Sequence, residues 1–199
     1  MGGLNEERQA LLAQIERAFR DSLTLKEEVL AGQAETIAAM AEALIRCLRQ
    51  GGKVLLCGNG GSAADAQHLA AELVNRFLRE RPALPALALT TDTSILTATA
   101  NDRDFAEVFA RQVEALGRPG DILFLLSTSG RSENLHRAAS AARARKMPIL
   151  ALLGGDGGGL AGKCDLALVV PSTVSPRIQE VHILIGHILC AAAEAALFP

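Results

Sequence analysis

Five short runs of almost unbroken aliphatic residues, at 53–57, 86–90, 121–126, 148–153 and 166–170, constrain the fold of this chain more than anything else. A strand with one face in water alternates apolar and polar side chains, whereas Ile122-Leu123-Phe124-Leu125-Leu126 leaves no polar face at all. Strands of that kind are buried on both sides, as in a parallel sheet layered between helices. Helical patterns at 62–78, 103–116 and 131–146 fill the gaps, and one closes the chain from Ser175 to Leu197. The spacing predicts an α/β domain with a doubly wound, five-stranded parallel sheet of order 2-1-3-4-5, flanked by helices.

Ahead of the first run, residues 4–50 read as helix in two pieces that meet around Ala31-Gly32-Gln33. In the second piece Ile37, Met40, Ala41, Leu44, Ile45 and Leu48 recur on one face. In the first, Leu12, Ile15, Phe19 and Leu23 form a narrower stripe among charged residues. A stripe on a helix that precedes the sheet either packs on its own domain or pairs with copies from other subunits in a bundle.

Two loops carry the chemistry. Val54-Leu55-Leu56-Cys57 runs into Gly58-Asn59-Gly60-Gly61-Ser62, and the third run leads into Ser127-Thr128-Ser129-Gly130-Arg131-Ser132. A strand, a glycine- and hydroxyl-rich turn and then a helix aim backbone N–H groups and hydroxyls at an anion. In the order 2-1-3-4-5 these two strands are neighbours and flank the switch point where such sheets bind ligands. One hydroxyl among Ser127, Thr128, Ser129 and Ser132 is expected to cap the next helix. The others, with Ser62, suit a phosphate dianion rich in acceptor lone pairs. The first loop also fits the dinucleotide pattern G-x-G-x-x-G/A, with Asp92 as the acidic partner. That reading leaves the second loop without a role. Gly157 to Cys164 misses a Walker A loop, because Cys164 replaces the magnesium-binding Ser or Thr. Gly154 to Gly159 reads as a mobile turn after the fourth strand.

Behind the first loop, His68 and Glu72 lie one helical turn apart and share a face. On the closing helix Gln179, Ile183 and His187 run i, i+4, i+8, so Gln179 and His187 also share a face. A lone helical histidine is ordinarily a hydrogen-bonded core residue. Two matched polar pairs in surroundings as apolar as Ile183 to Leu189 are costly to bury without purpose. A general acid/base pair, a metal site, or both account for them. Glu180 and His182 read as salt-bridge or helix-surface residues.

A net charge of −2, no Trp or Tyr and only six Phe argue against a nucleic-acid footprint or a base-stacking platform. Cys47, Cys57, Cys164 and Cys190 lie far apart, without metal-type spacing, and read as core residues of a reducing compartment. No secretory signal is visible after Met1. The greasiest stretch, Ile183 to Phe198, is broken by His187 and Glu194 and falls short of a membrane span. The expectation is a soluble, cytoplasmic protein.

At this point the chain resembles a known group, the sugar isomerase (SIS) domain proteins, and within it the phosphoheptose isomerases. The resemblance covers nearly the whole chain. It is carried by Cys57 to Ser62, Gln67-His68, Ala71-Glu72-Leu73, Asn75-Arg76-Phe77, Arg81-Pro82, Ala100-Asn101-Asp102, Ser127 to Gly130, Asp156-Gly157-Gly158 and Arg177 to His182. It implies residues 51–199 as a single SIS domain and residues 1–50 as a helical extension for oligomerisation.

The activity implied is interconversion of sedoheptulose 7-phosphate and D-glycero-D-manno-heptose 7-phosphate, feeding a heptose-containing glycan such as lipopolysaccharide core. By resemblance, Glu72 moves the proton between C1 and C2 and His187 is the second acid/base. Ser62, Ser127, Thr128, Ser129 and Ser132 would hold the phosphate, while Asn59, Gly60, Gly61, Asn101 and Asp102 would line the sugar site. Some family members carry zinc on the residues matching His68, Glu72, Gln179 and His187, and the family assembles as a homotetramer with sites across subunit interfaces. Pro176 departs from the pattern, since many isomerases have an acidic residue there.

The chain also resembles the DiaA-type subfamily, non-catalytic adaptors that bind the replication initiator DnaA. Arg76-Phe77 to Pro82, Asn101-Asp102-Arg103 and the ending Leu197-Phe198-Pro199 lean that way. The positions matching Glu72 and His187 are not acid/base residues in that subfamily. This chain keeps both, which decides the reading for the enzyme.

Overall fold

The computed structural model describes residues 2–199, with side chains from Asn5 onward. Met1, where the search for a targeting signal began, lies outside the described residues. The five apolar runs form β1 (Val54–Gly58), β2 (Ala86–Ala88), β3 (Ile122–Ser127), β4 (Ile149–Gly154) and β5 (Leu166–Val170). They pair in the order β2-β1-β3-β4-β5, every pair parallel, as the doubly wound expectation requires. Val54 stands opposite Ile122 and Gly58 opposite Leu126, so the loops after β1 and β3 leave the sheet side by side.

Successive strand residues point to opposite faces, and the core divides accordingly. Leu56, Phe124, Leu126 and Leu152 pack with Met40, Leu44, Leu69 and Ile185 on one side. Leu55, Leu123, Leu125 and Leu153 pack with Phe109, Val113, Leu135 and Ala138 on the other. The first layer comes from α1 (Gly2–Arg49), α2 (Gly61–Val74) and α6 (Ser175–Leu197), and the second from α4 (Ala110–Leu116) and α5 (Glu133–Ala144).

Several boundaries differ from the sequence expectations. The N-terminal segment is one helix of 48 residues, not two pieces. Gly32 lowers helix propensity by only about 1 kcal/mol, and the turns on either side carry the helix through it. A helix absent from the sequence reading, α3 (Thr93–Asp102), precedes a 3-10 turn at Phe105–Glu107 and α4, the two pieces into which the expected helix 103–116 divides. The Asp92 and Asp104 side chains start α3 and the 3-10 turn by accepting from the Ile95 and Ala106 amides. Helix α2 stops at Val74, leaving residues 75–85 irregular. The glycine run after β4 is a tight turn into a 3-10 helix, Gly158–Lys163.

Leu12, Ile15, Phe19 and Leu23 stay 44%, 45%, 68% and 58% exposed, so this stripe does not pack on its own domain. Helix α6 is long and apolar enough by composition to cross a membrane, contrary to the sequence expectation that it falls short. Its buried face nevertheless packs on α1, α2 and β4, which makes it a core helix here.

Candidate active site

Both loops expected to bind an anion lie at the carboxyl ends of adjacent strands. The β1 loop turns at Gly60, whose φ of +55° favours glycine, and α2 starts there without a side-chain cap. Ser62 is buried in the first turn of α2. In the β3 loop, the Ser127 hydroxyl accepts from the Gly130 amide at 3.0 Å and that of Ser129 from the Arg131 amide at 3.3 Å. Neither caps α5. Ser132 stands at the N-cap position and makes no side-chain cap bond, so the expected capping hydroxyl is absent. The turn is stabilised within itself, and Thr128 and Ser132 keep their hydroxyls out of helix capping.

Asn59 does not stand alone at the mouth. Its amide exchanges two hydrogen bonds, at 2.9 and 2.8 Å, with the buried Asn134 of α5. This reciprocal pair ties the first loop to the helix that follows the second. Asn101 donates to Asp102 at 2.8 Å at the exposed end of α3.

Helices α2 and α6 bring the polar pairs together. Gly186 packs directly on Leu69, where any Cβ would collide with the leucine side chain. One residue further on, His187 Nε2 lies 2.9 Å from His68 Nε2, and His68 Nε2 lies 3.3 Å from Glu72 Oε1. At 2.9 Å the two ring nitrogens are within hydrogen-bond reach, with the donor set by the tautomer. The three donor atoms all lie within 4.8 Å of one another. Gln179, the fourth implied ligand, packs beside Gly61, where a side chain would strike its amide.

Two imidazoles and a carboxylate are a donor set suited to zinc, and ligands about 2.0–2.1 Å from a tetrahedral ion stand roughly 3.3–3.4 Å apart. The His68–Glu72 spacing of 3.3 Å meets this, and the histidine pair needs to part by only a few tenths of an ångström. The residues fit a metal ion.

Glu180 pairs with Arg177 at 3.0 Å, as its sequence reading allowed. His182 is a correction. It is fully buried, not on the helix surface, and its Nε2 donates to the Leu153 carbonyl at 3.1 Å. Burial pushes its pKa from 6.5 down to about 4, against that hydrogen bond, which keeps the ring neutral. Pro176 falls in the first turn of α6, where a missing N–H costs nothing.

Sequence reasoning passed over Asn134 and the pair Arg81–Glu194. Arg81 Nε meets Glu194 Oε1 at 3.0 Å, with the two side chains only 1% and 2% exposed. The available signal was a lone carboxylate in the apolar run Cys190 to Leu197, because an acid buried in a core helix needs a partner.

The pattern of the SIS domain matches residues 19–154. The phosphoheptose isomerase of Desulfovibrio desulfuricans is 57% identical over 179 residues, covering 90% of this chain and 85% of that protein. That of Shewanella sp. (strain ANA-3) is 50% identical over 192 residues, covering 95% and 98%. Among solved structures, phosphoheptose isomerase GmhA from Neisseria gonorrhoeae superposes with a TM-score of 0.88 at 45% identity, covering 93% of this chain and 99% of that one. The Francisella tularensis phosphoheptose isomerase gives 0.89 at 44% identity, covering 92% and 98%. The chain belongs to the SIS domain family and, within it, to the phosphoheptose isomerases.

Proposed function

We infer that the chain is an aldose–ketose isomerase that interconverts sedoheptulose 7-phosphate and D-glycero-D-manno-heptose 7-phosphate in heptose biosynthesis. The observation that carries the chemistry is the His68–Glu72–His187 cluster at the α2–α6 crossing. Isomerisation through an enediol needs a base that takes a carbon-bound proton and returns it to the neighbouring carbon. Glu72 has the part-exposed carboxylate for that task. His187 moves the hydroxyl proton, with His68 Nε2 2.9 Å from its own Nε2. Zinc, when bound, would be held by His68, Glu72 and His187, with Gln179 on the same face of α6, and would polarise the carbonyl as a Lewis acid. Incubating the purified protein with sedoheptulose 7-phosphate should yield the aldose by mass and NMR analysis. Recovery of unchanged ketose would defeat this reading.

The phosphate rests on the hydroxyl loops. Hydrogen bonds to a charged group are worth about 1.5–3 kcal/mol each. Combining Thr128→Val with Ser129→Ala should therefore raise the apparent KM at least about tenfold while leaving the unfolding transition in place. An unchanged KM would put the phosphate elsewhere.

We further propose a homotetramer in the cytoplasm, serving a glycan such as lipopolysaccharide core. The exposed stripe on α1 supports the assembly, since four large apolar side chains on one helix face call for a partner. Asn101 and Asp102, exposed on the single chain, would then complete a site shared between subunits. Ile15→Glu with Phe19→Glu should shift the sedimenting species to smaller sizes. A variant that stays fully tetrameric would remove the bundle.

A further inference from the structure

Glu194 is the only charged residue in the second half of α6, and its carboxylate is fully engaged. Oε1 accepts from the Phe77 amide at 2.7 Å and from Arg81 Nε at 3.0 Å. Oε2 accepts from the amides of Leu78 and Arg79 at 2.8 and 3.2 Å. The Arg81 guanidinium also donates to two carbonyls of the last turn of α2 and to Pro82 O. Nη2 donates to Glu72 O at 2.7 Å, and Nη1 to Leu73 O at 2.7 Å and Pro82 O at 3.1 Å. Burial alone would raise the Glu194 pKa, but the Phe77 and Leu78 amides and Arg81 outweigh it and hold the carboxyl below its ordinary range.

This pair organises residues 75–82, a segment without regular secondary structure. The segment carries Phe77, whose ring stacks on His187 with centroids 5.2 Å apart and planes inclined by 25°. The χ2 torsion of histidine is broad and roughly two-fold, so α6 itself does not fix where Nε2 points. A flat ring stacked against the imidazole restricts the tilt of its plane, and the 2.9 Å contact with His68 Nε2 then distinguishes its two flips. The same guanidinium holds the backbone of Glu72. One buried ion pair therefore reaches both members of the acid/base pair, Glu72 through its carbonyl and His187 through Phe77.

We propose that Arg81, Glu194 and Phe77 are positioning residues of the isomerase site, with Phe77 the contact through which the buried pair sets the His187 ring against His68 and Glu72. The kinetic consequence rests on the acid/base reading of Glu72 and His187, whereas the structural consequence does not. The test uses full-length protein labelled with carbon-13 at the histidine Cε1 positions. Its four histidines are assigned by the signal lost in His187→Gln. Phe77→Leu should move the His187 signal, because the ring current over it is gone, and Phe77→Tyr should leave it near the parent position. Glu194→Gln should move the same signal although Phe77 is untouched.

With sedoheptulose 7-phosphate, Phe77→Leu should lower kcat about ten- to a hundredfold with KM within about twofold. Phe77→Tyr should recover the parental kcat to within about twofold. If Glu194→Gln fails to fold, the contrast between Phe77→Leu and Phe77→Tyr decides. A parental kcat in Phe77→Leu, or an unmoved His187 signal in Phe77→Leu or in folded Glu194→Gln, overturns the proposal. An inactive parent defeats the isomerase reading alone, and the histidine signal then decides the positioning by itself.

Discussion

Glu72→Gln is expected to slow isomerisation by about two to four orders of magnitude while leaving substrate binding in place. The amide keeps the shape and most of the hydrogen bonding of the carboxylate, but it cannot accept a carbon-bound proton. The variant should therefore bind sedoheptulose 7-phosphate and yet fail to exchange its C1 proton with deuterated solvent, a reaction followed directly by NMR. His187→Gln should be similarly slow, because the substrate's hydroxyl proton then has no carrier. Exchange at the parental rate in Glu72→Gln would move the base elsewhere. His68 would be next, with its Nε2 3.3 Å from the Glu72 carboxylate. An adaptor of the DiaA type would show no turnover in the parent.

The sheet was legible because its three central strands are buried on both faces and so read as nearly uninterrupted apolar runs, while the edge strands β2 and β5 are aliphatic though partly exposed. Ile122 to Leu126 and Ile149 to Leu153 are of the first kind, and both appear within a residue of the expected positions. Strand order followed from the same argument together with the placement of the two loops. The helices were less legible where local chemistry competes with periodicity. Asp92 starts a helix that periodicity missed and Asp104 a 3-10 turn, each through its side chain, and the expected helix 103–116 is two pieces. No pattern of apolar residues announces such breaks, although Asp before a helical run is itself a capping signal. Gly32 illustrates the opposite error, a residue read as a break in a helix long enough to absorb it.

At the site, the i, i+4 spacing of His68 and Glu72 was visible in the sequence, but their meeting with His187 was not. It depends on how closely α2 and α6 approach, and that is set by Gly186 against Leu69. The Asn59–Asn134 and Arg81–Glu194 pairs were hidden for the same reason. Their partners are separated by 75 and 113 residues, and no local pattern couples positions so far apart. The hydroxyl loop was found by composition, yet its internal bonding was not foreseen. Ser127 and Ser129 use acceptor capacity to hold the turn, where the sequence suggested a helix cap.

His182→Gln should blunt the acid sensitivity of the fold. In the parent, burial holds the His182 pKa near 4, whereas the unfolded chain titrates at the ordinary 6.5. Above the unfolded value both states are neutral there and the full stability is present. As pH falls from 6.5 toward 4, the unfolded chain takes up a proton that the folded chain refuses, and stability drops by about 1.4 kcal/mol per pH unit. The loss approaches about 3 kcal/mol by the lower limit, a large share of the roughly 5–15 kcal/mol that keeps a domain folded. Glutamine can still donate to the Leu153 carbonyl, but it has no proton to gain. The measurement is urea unfolding of parent and variant at pH 7 and pH 4.5, at one protein concentration because the proposed assembly would add mass action. Carboxylates titrate alike in both proteins and cancel from the difference. Between the two pH values the parent should lose roughly 2 to 3 kcal/mol more than the variant. Equal losses would mean that the His182 ring already takes up its proton inside the folded protein, with water or an acceptor at Nδ1.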